Sequence, residues 1–134
     1  MTVKLDHRAL HDAAIIDPRT DAHRHTAEQF RAIKRPILTN AEGRGASIVE
    51  HPNLIMVTSS LPGEGKTFNS INLAMSIAME VDKTVLLIDS DVAKPEVASR
   101  LGVTATRGLT DVLLDPELDL SEVMLRTDVP NLTL

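Results

Sequence analysis

The octet Ser60–Thr67, SLPGEGKT, sets two glycines, a lysine and a hydroxyl residue in the order that phosphate binding requires. Gly63 and Gly65 let the backbone turn its N–H groups inward around phosphate oxygens, where a Cβ would obstruct them. Lys66 is spaced to reach β- and γ-phosphates, and the Thr67 hydroxyl to ligate Mg²⁺. The pattern G-x-x-x-x-G-K-[ST] departs only at its first position, where Ser60 stands in place of glycine. Contacts to the phosphates are expected from Leu61, Pro62, Gly63, Glu64, Gly65, Lys66, Thr67 and Phe68. The ligand this chemistry implies is a nucleoside triphosphate with magnesium.

A second group follows the apolar run Val85–Ile88, which ends in Asp89-Ser90-Asp91. An aspartate closing a strand stands at the carboxyl edge of a sheet, where such phosphate loops also sit. Asp89 is thereby placed to act on the metal or on an attacking hydroxyl. Asp91 either joins it or caps the turn before Pro95.

The flanking pattern predicts the elements that must hold these groups. Leu54–Val57 is a short, apolar run that reads as a buried strand entering the loop. Residues 66–80 predict a helix with Ile71, Ala74, Met75, Ala78 and Met79 on one face. Thr84–Ile88 reads as a parallel strand covered on both sides. Strand, Gly-rich turn, helix and strand form a βαβ unit, so the predicted class is α/β with a parallel sheet flanked by helices, incomplete at its C-terminus. Further helices are expected at Pro95–Leu101 (closed by Gly102), Thr110–Leu114 and Leu120–Leu125, with a new strand beginning within Val129–Leu134.

Upstream, residues 1–25 read as a polar, loosely ordered arm. Thr26 and Gln29 suggest a capping box, with Phe30, Ile33 and Ile37 at helical spacing. Pro36 is expected to interrupt or kink that helix. Ala41–Ala46 reads as a Gly-containing linker. The organisation is thus an arm (1–25), a helix with linker (26–46) and the start of a phosphate-binding domain (47–134).

Composition narrows the function classes. The 134 residues carry a formal net charge of −5, which gives no general attraction to nucleic acid. There is no Cys, Trp or Tyr and only two Phe, so the core must come from aliphatic residues and Met. Absence of cysteine excludes disulfides and thiolate-bound metal. No apolar run exceeds that of Val85–Ile88, and the first residues lack a secretory apolar stretch, so a cytoplasmic location is expected. His7, His11, His23 and His25 recur at short spacing without a convincing metal geometry.

Taken together, VTSSLPGEGKT and VLLIDSDVAKP resemble the Walker A and A′ motifs of the deviant P-loop ATPases, which include the chromosome-partitioning proteins. The Pro-Gly-Glu-Gly-Lys-Thr wording resembles the bacterial tyrosine autokinases of exopolysaccharide and capsule synthesis. DVAKP and RTDVPNLTL are similar to the exosortase-associated type. The resemblance covers about residues 26–134. It implies ATP and Mg²⁺ as cofactors, with Lys66, Asp89 and Asp91 catalytic and Thr67 and Asp89 at the metal. The family's E-x-x-R-x-x-R motif, which packs between subunits in a ring, maps onto Glu28, Arg31 and Lys34, implying a homo-oligomer. A membrane-bound polysaccharide co-polymerase as activator is implied as well, which would bring the protein to the inner face of the membrane. Two departures stand out: Ala93 replaces an arginine common in the A′ motif, and neither a Walker B strand nor a tyrosine-rich tail is present. The chain therefore reads as the N-terminal part of a longer kinase or a shortened relative. A partitioning-type ATPase and a non-catalytic assembly partner are the competing readings; the first lacks its signature lysine, since Ser-Leu-Pro occupies that stretch.

Overall fold

The computed structural model describes residues 2–45 and 50–134. Ala46, the end of the expected linker, and residues 47–49, the start of the expected phosphate-binding domain, lie outside the described residues.

The segment expected to be a loose arm is instead a packed part of the fold. Thr2–Val3 form strand β1, and helix α1 spans His7–Asp12. Asp6 caps α1, its carboxylate accepting from the N–H groups of Arg8 (2.8 Å) and Ala9 (3.2 Å). Leu5, Leu10, Ile15 and Ile16 are all buried. The short apolar pairs between polar residues are what the core takes up, and burying them drives the ordering.

Helix α2 spans Arg24–Ala41. It begins ahead of the expected Thr26 cap, with His23 at its N-cap in the left-handed region (φ 57°), so Thr26 lies in the first turn. Pro36 does not end it: the helix continues to Ala41. Proline removes one backbone donor, and the exposed position of Pro36 leaves the freed carbonyl within reach of water. Phe30 and Lys34 are buried, whereas Ile33 is 47% exposed, so the buried face is rotated from the one its apolar residues suggest.

Helix α3 spans Lys66–Ala78. Every residue from Ile71 to Ala78 is buried, Asn72 and Ser76 included, so this is a central helix rather than an amphipathic one. Asn72 is satisfied by accepting from the Ile16 N–H (2.8 Å) and donating to the Phe68 carbonyl (3.0 Å).

Strand β2 (Val85–Leu86) is followed by helices α4 (Val97–Arg100), α5 (Leu109–Leu114) and α6 (Leu120–Val123). Strands β3 (Arg126–Thr127) and β4 (Leu132–Thr133) follow α6. The expected Leu120–Leu125 helix is cut short because Arg126 enters the sheet. Gly102 closes α4 at φ 68°, and a Cβ there would stand 2.4 Å from Asp6 Cβ, so both conformation and space require glycine.

The sheet has the order β1-β3-β4-β2. Pairs β1–β3 and β2–β4 are parallel, but β3–β4 is antiparallel, so the sheet is mixed rather than parallel. A short turn joins β3 to β4, and only an antiparallel pair accepts so short a connection. Leu54–Val57, expected as a buried strand, lies outside this sheet: Leu54 is 78% and Met56 83% exposed. Within Thr84–Ile88 the strand is confined to Val85–Leu86, with the Leu87 N–H also donating to the Thr133 carbonyl (2.9 Å), and Leu86 and Ile88 are exposed while Val85 and Leu87 are half-buried. That alternation marks a strand covered on one face, not two. Among the described residues no helix is long and apolar enough to cross a membrane.

Candidate functional site

Glycine conformation builds the turn expected to bind phosphate. Gly63 has φ 83° and Gly65 φ 93°, values that side chains other than glycine's rarely permit. Gly65 is the N-cap of α3, and the first N–H to bond back into the helix is that of Asn69, onto the Gly65 carbonyl (2.9 Å). The N–H groups of Lys66, Thr67 and Phe68 therefore have no helical carbonyl to meet, and with the positive end of a 13-residue helix they are of the kind that can receive an anion. The Asn69 amide also donates to the Gly65 carbonyl (2.9 Å), which holds the turn from the helix side. Leu61, Pro62, Gly63 and Glu64 are exposed, while Lys66, Thr67 and Phe68 are half-buried. Glu64 folds back over the loop, its carboxylate accepting from the Leu61 N–H (3.0 Å). An acidic oxygen thus occupies one amide of the loop.

The acidic pair follows the C-terminal end of β2. Asp89 Oδ2 accepts from the N–H groups of Glu96 and Val97 (3.0 Å each), and Asp89 Oδ1 from that of Asp91 (3.1 Å). It thereby caps the start of α4, where Glu96 makes no side-chain cap of its own. Asp91 accepts from the Lys94 N–H (3.1 Å), the turn cap that the sequence offered as its alternative role. Both aspartates line a cavity of about 370 Å³, walled mainly by apolar side chains such as Ile88, Val92, Val97, Leu109 and Met124. Asp89 and Asp91 thus share one cavity, whose lining does not include Leu61–Phe68. Among the described residues no three His, Asp or Glu side chains cluster in a way that would hold a metal ion. The donors proposed for magnesium, Thr67 and Asp89, fit a hard cation in kind, being oxygen ligands.

The motif mapped onto α2 divides. Glu28 and Arg31 are exposed, and Glu28 pairs with Arg24 (3.4 Å) rather than with Arg31. Lys34, assigned to contacts between subunits, is buried inside the chain: its Nζ donates to the Ser76 carbonyl (2.7 Å) and meets Glu80 Oε1 at 2.6 Å. It faces α3, not a neighbour, because its position one turn after Phe30 puts it on the packed side of α2.

A polar cluster that sequence reading passed over anchors the N-terminal segment. The Arg19 guanidinium grips Asp17 through Nε (2.8 Å) and Nη2 (3.1 Å) and reaches Asp128 through Nη1 (2.5 Å). His7 Nδ1 lies 2.6 Å from Asp17 Oδ2, and Asp128 Oδ1 accepts from the Leu5 N–H (2.9 Å). Burial works against the charged Asp17, but the Arg19 side chain and N–H, with His7, outweigh it and hold the carboxyl below its ordinary value. Hydrogen bonding to Asp17 raises Arg19 in turn, against its own burial and with help from Asp128. Asp17 and Arg19 were readable as neighbours; Asp128 carried no signal, since only folding brings it within reach.

Known proteins align with the chain over these motifs and their flanks. It is 43% identical over 88 residues to the tyrosine-protein kinase YwqD of Bacillus subtilis, covering 66% of this chain and 34% of that one. It is 34% identical over 119 residues to the tyrosine-protein kinase CpsD of Streptococcus agalactiae, covering 88% of this chain and 48% of the relative. The putative tyrosine-protein kinase AmsA of Erwinia amylovora is 31% identical over 108 residues, 73% of this chain and 14% of its own. The chain thus spans less than half the length of these relatives. No protein-family model matches it, and no solved structure does. Over the length it shares with them, the chain is similar to bacterial tyrosine-protein kinases.

Proposed function

We propose that this chain is the ATP-binding part of a bacterial protein-tyrosine autokinase that regulates exopolysaccharide synthesis and export. The observation that carries the reading is the turn of Gly63 and Gly65 into left-handed backbone just before Lys66 and Thr67 open α3. The naming of the relatives as tyrosine-protein kinases supports it.

In this reading Lys66 and the N–H groups of the loop hold the phosphates of ATP, and the glycines keep the backbone close to them. Thr67 and Asp89 would hold Mg²⁺, which would supply charge neutralisation on the phosphate oxygens. Asp91, the more exposed carboxylate, orients the phenol of an acceptor tyrosine in the apolar-walled cavity and takes its proton. The phenolic oxygen forms a bond to the γ-phosphorus as the bond to the β,γ-bridging oxygen breaks, and ADP leaves. Catalysis rests on positioning and charge neutralisation rather than on a covalent enzyme intermediate. The acceptor is a tyrosine outside these residues, since the 134 contain none. Glu28 and Arg31, exposed on α2, serve assembly of the full-length protein into a homo-oligomer, and a membrane-bound polysaccharide co-polymerase recruits it to the inner face of the membrane.

Calorimetry of Mg·ATP and Mg·ADP on this chain and on Lys66→Ala, with circular dichroism to confirm folding, tests the core of the proposal. Wild-type binding that weakens roughly a hundredfold in the variant is expected, the size of a lost charged hydrogen bond. A folded wild-type chain that binds neither nucleotide would overturn it.

A further inference from the structure

The buried lysine of α2 is the group in this molecule that neither the phosphate site nor the acidic cavity uses. Lys34 is 5% exposed, and long cations are rarely buried without a task. Its partners explain its tolerance of the interior. Ser76 lies in the last turn of α3, where backbone carbonyls run out of helical donors, and the N–H groups of Met79 and Glu80 both go to Ile77 instead. The Lys34 ammonium supplies the missing donor and a positive charge at the negative end of α3. Glu80, itself 41% exposed, balances that charge at 2.6 Å.

The opposite end of α3 is held by the same helix. Phe30, one turn before Lys34, packs edge-on against Phe68 with ring centroids 6.4 Å apart and an interplanar angle of 64°. These are the two phenylalanines of the chain. Phe68 follows Thr67 directly, so this contact bears on the turn that opens the phosphate loop. One turn of α2 therefore grips α3 twice, by an aromatic contact at the phosphate end and an ammonium at the far end.

We propose that Lys34, with Phe30, is a positioning residue for the phosphate loop: the two clamp α3 to α2, so that displacement of α2 is transmitted to the loop. The proposal rests on the reading of the loop as a nucleotide site. The exposed face of α2, with Glu28, Arg31 and Ile33, is then a handle whose occupation reaches the nucleotide through a rigid helix.

Two measurements on the same variants test it. Lys34→Met keeps the length of the aliphatic stem and removes the ammonium, a replacement that buried ion pairs commonly survive, and Glu80 is free to turn to water. Lys34→Arg restores the cation, and Glu80→Gln is a second variant should Lys34→Met fold poorly. The Gly63 and Gly65 amide resonances are expected to shift in Lys34→Met and to return in Lys34→Arg. Mg·ATP affinity is expected to fall by roughly threefold to thirtyfold in Lys34→Met, the span of coupling through packed elements, and to recover in Lys34→Arg. Unmoved glycine resonances and unchanged affinity, with only a lower unfolding temperature, would reduce Lys34 to a structural residue and overturn the proposal. A wild-type chain that binds no Mg·ATP would sink the nucleotide reading instead, while the glycine resonances would still decide the clamp.

Discussion

The two sides of Gly65 differ in how they are held. On the helix side, every residue from Ile71 to Ala78 is buried, packed under α2 and against the N-terminal segment. On the other side, Leu54 to Met56 and Leu61 to Glu64 are exposed, and the loop is kept by local hydrogen bonds: Ser59 Oγ to the Leu61 carbonyl, the Leu61 N–H to Glu64. The stability of the molecule resides in the helix, and the chemistry proposed for it resides in a loop that contributes little burial. Such division is usual where a binding loop rides on a rigid scaffold. It also means that damage to one side should read out in a different measurement from damage to the other.

The largest effect is expected where charge and chemistry coincide. In the complete kinase, Asp89→Asn should lower phosphotransfer by roughly a hundredfold to a thousandfold, the cost of a lost electrostatic contact in a reacting site, with Mg·ATP still bound. Full activity in that variant would remove Asp89 from the mechanism and leave it as the cap of α4. Next comes stability. Met75 is fully buried in α3, so Met75→Ala should cost about 2–5 kcal/mol by urea unfolding, whereas Met56→Ser at 83% exposure should stay within about 0.5 kcal/mol. Equal costs would mean that Met56 is covered in solution and that the contrast drawn above is false. The smallest effect belongs to the anchor of the N-terminal segment. The Asp17 carboxyl is held below its ordinary value, so the stability it contributes is complete above about pH 3.8 and is lost as pH falls through its lower folded value. Asp17→Asn should flatten that part of the pH dependence of unfolding; an unchanged acid limb would assign it to other carboxylates.

The regions most legible in sequence were those governed by local rules. The glycines at 63 and 65, the helix that follows them, Gly102 after α4 and the short helices α5 and α6 all come from backbone preferences that a few neighbouring residues impose. Errors fell where distant partners decide. The polar look of residues 1–25 hid Leu5, Leu10, Ile15 and Ile16, because a core collects apolar side chains one at a time from a segment of mixed composition. The apolar look of Leu54–Val57 promised a strand, but a strand exists only where a neighbour offers a ladder.

The sequence by itself determined the glycine-rich turn before Lys66, the order of the two motifs and the similarity to tyrosine-protein kinases, since these depend on residue type and short spacing. Tertiary structure alone decided that the sheet is mixed, that Asp89 caps the start of α4, and that Lys34 turns inward to α3 rather than outward. The reason is physical: a lysine's charge is written in its residue type, but whether water, a carbonyl or another subunit balances it depends on what folding places within hydrogen-bond reach.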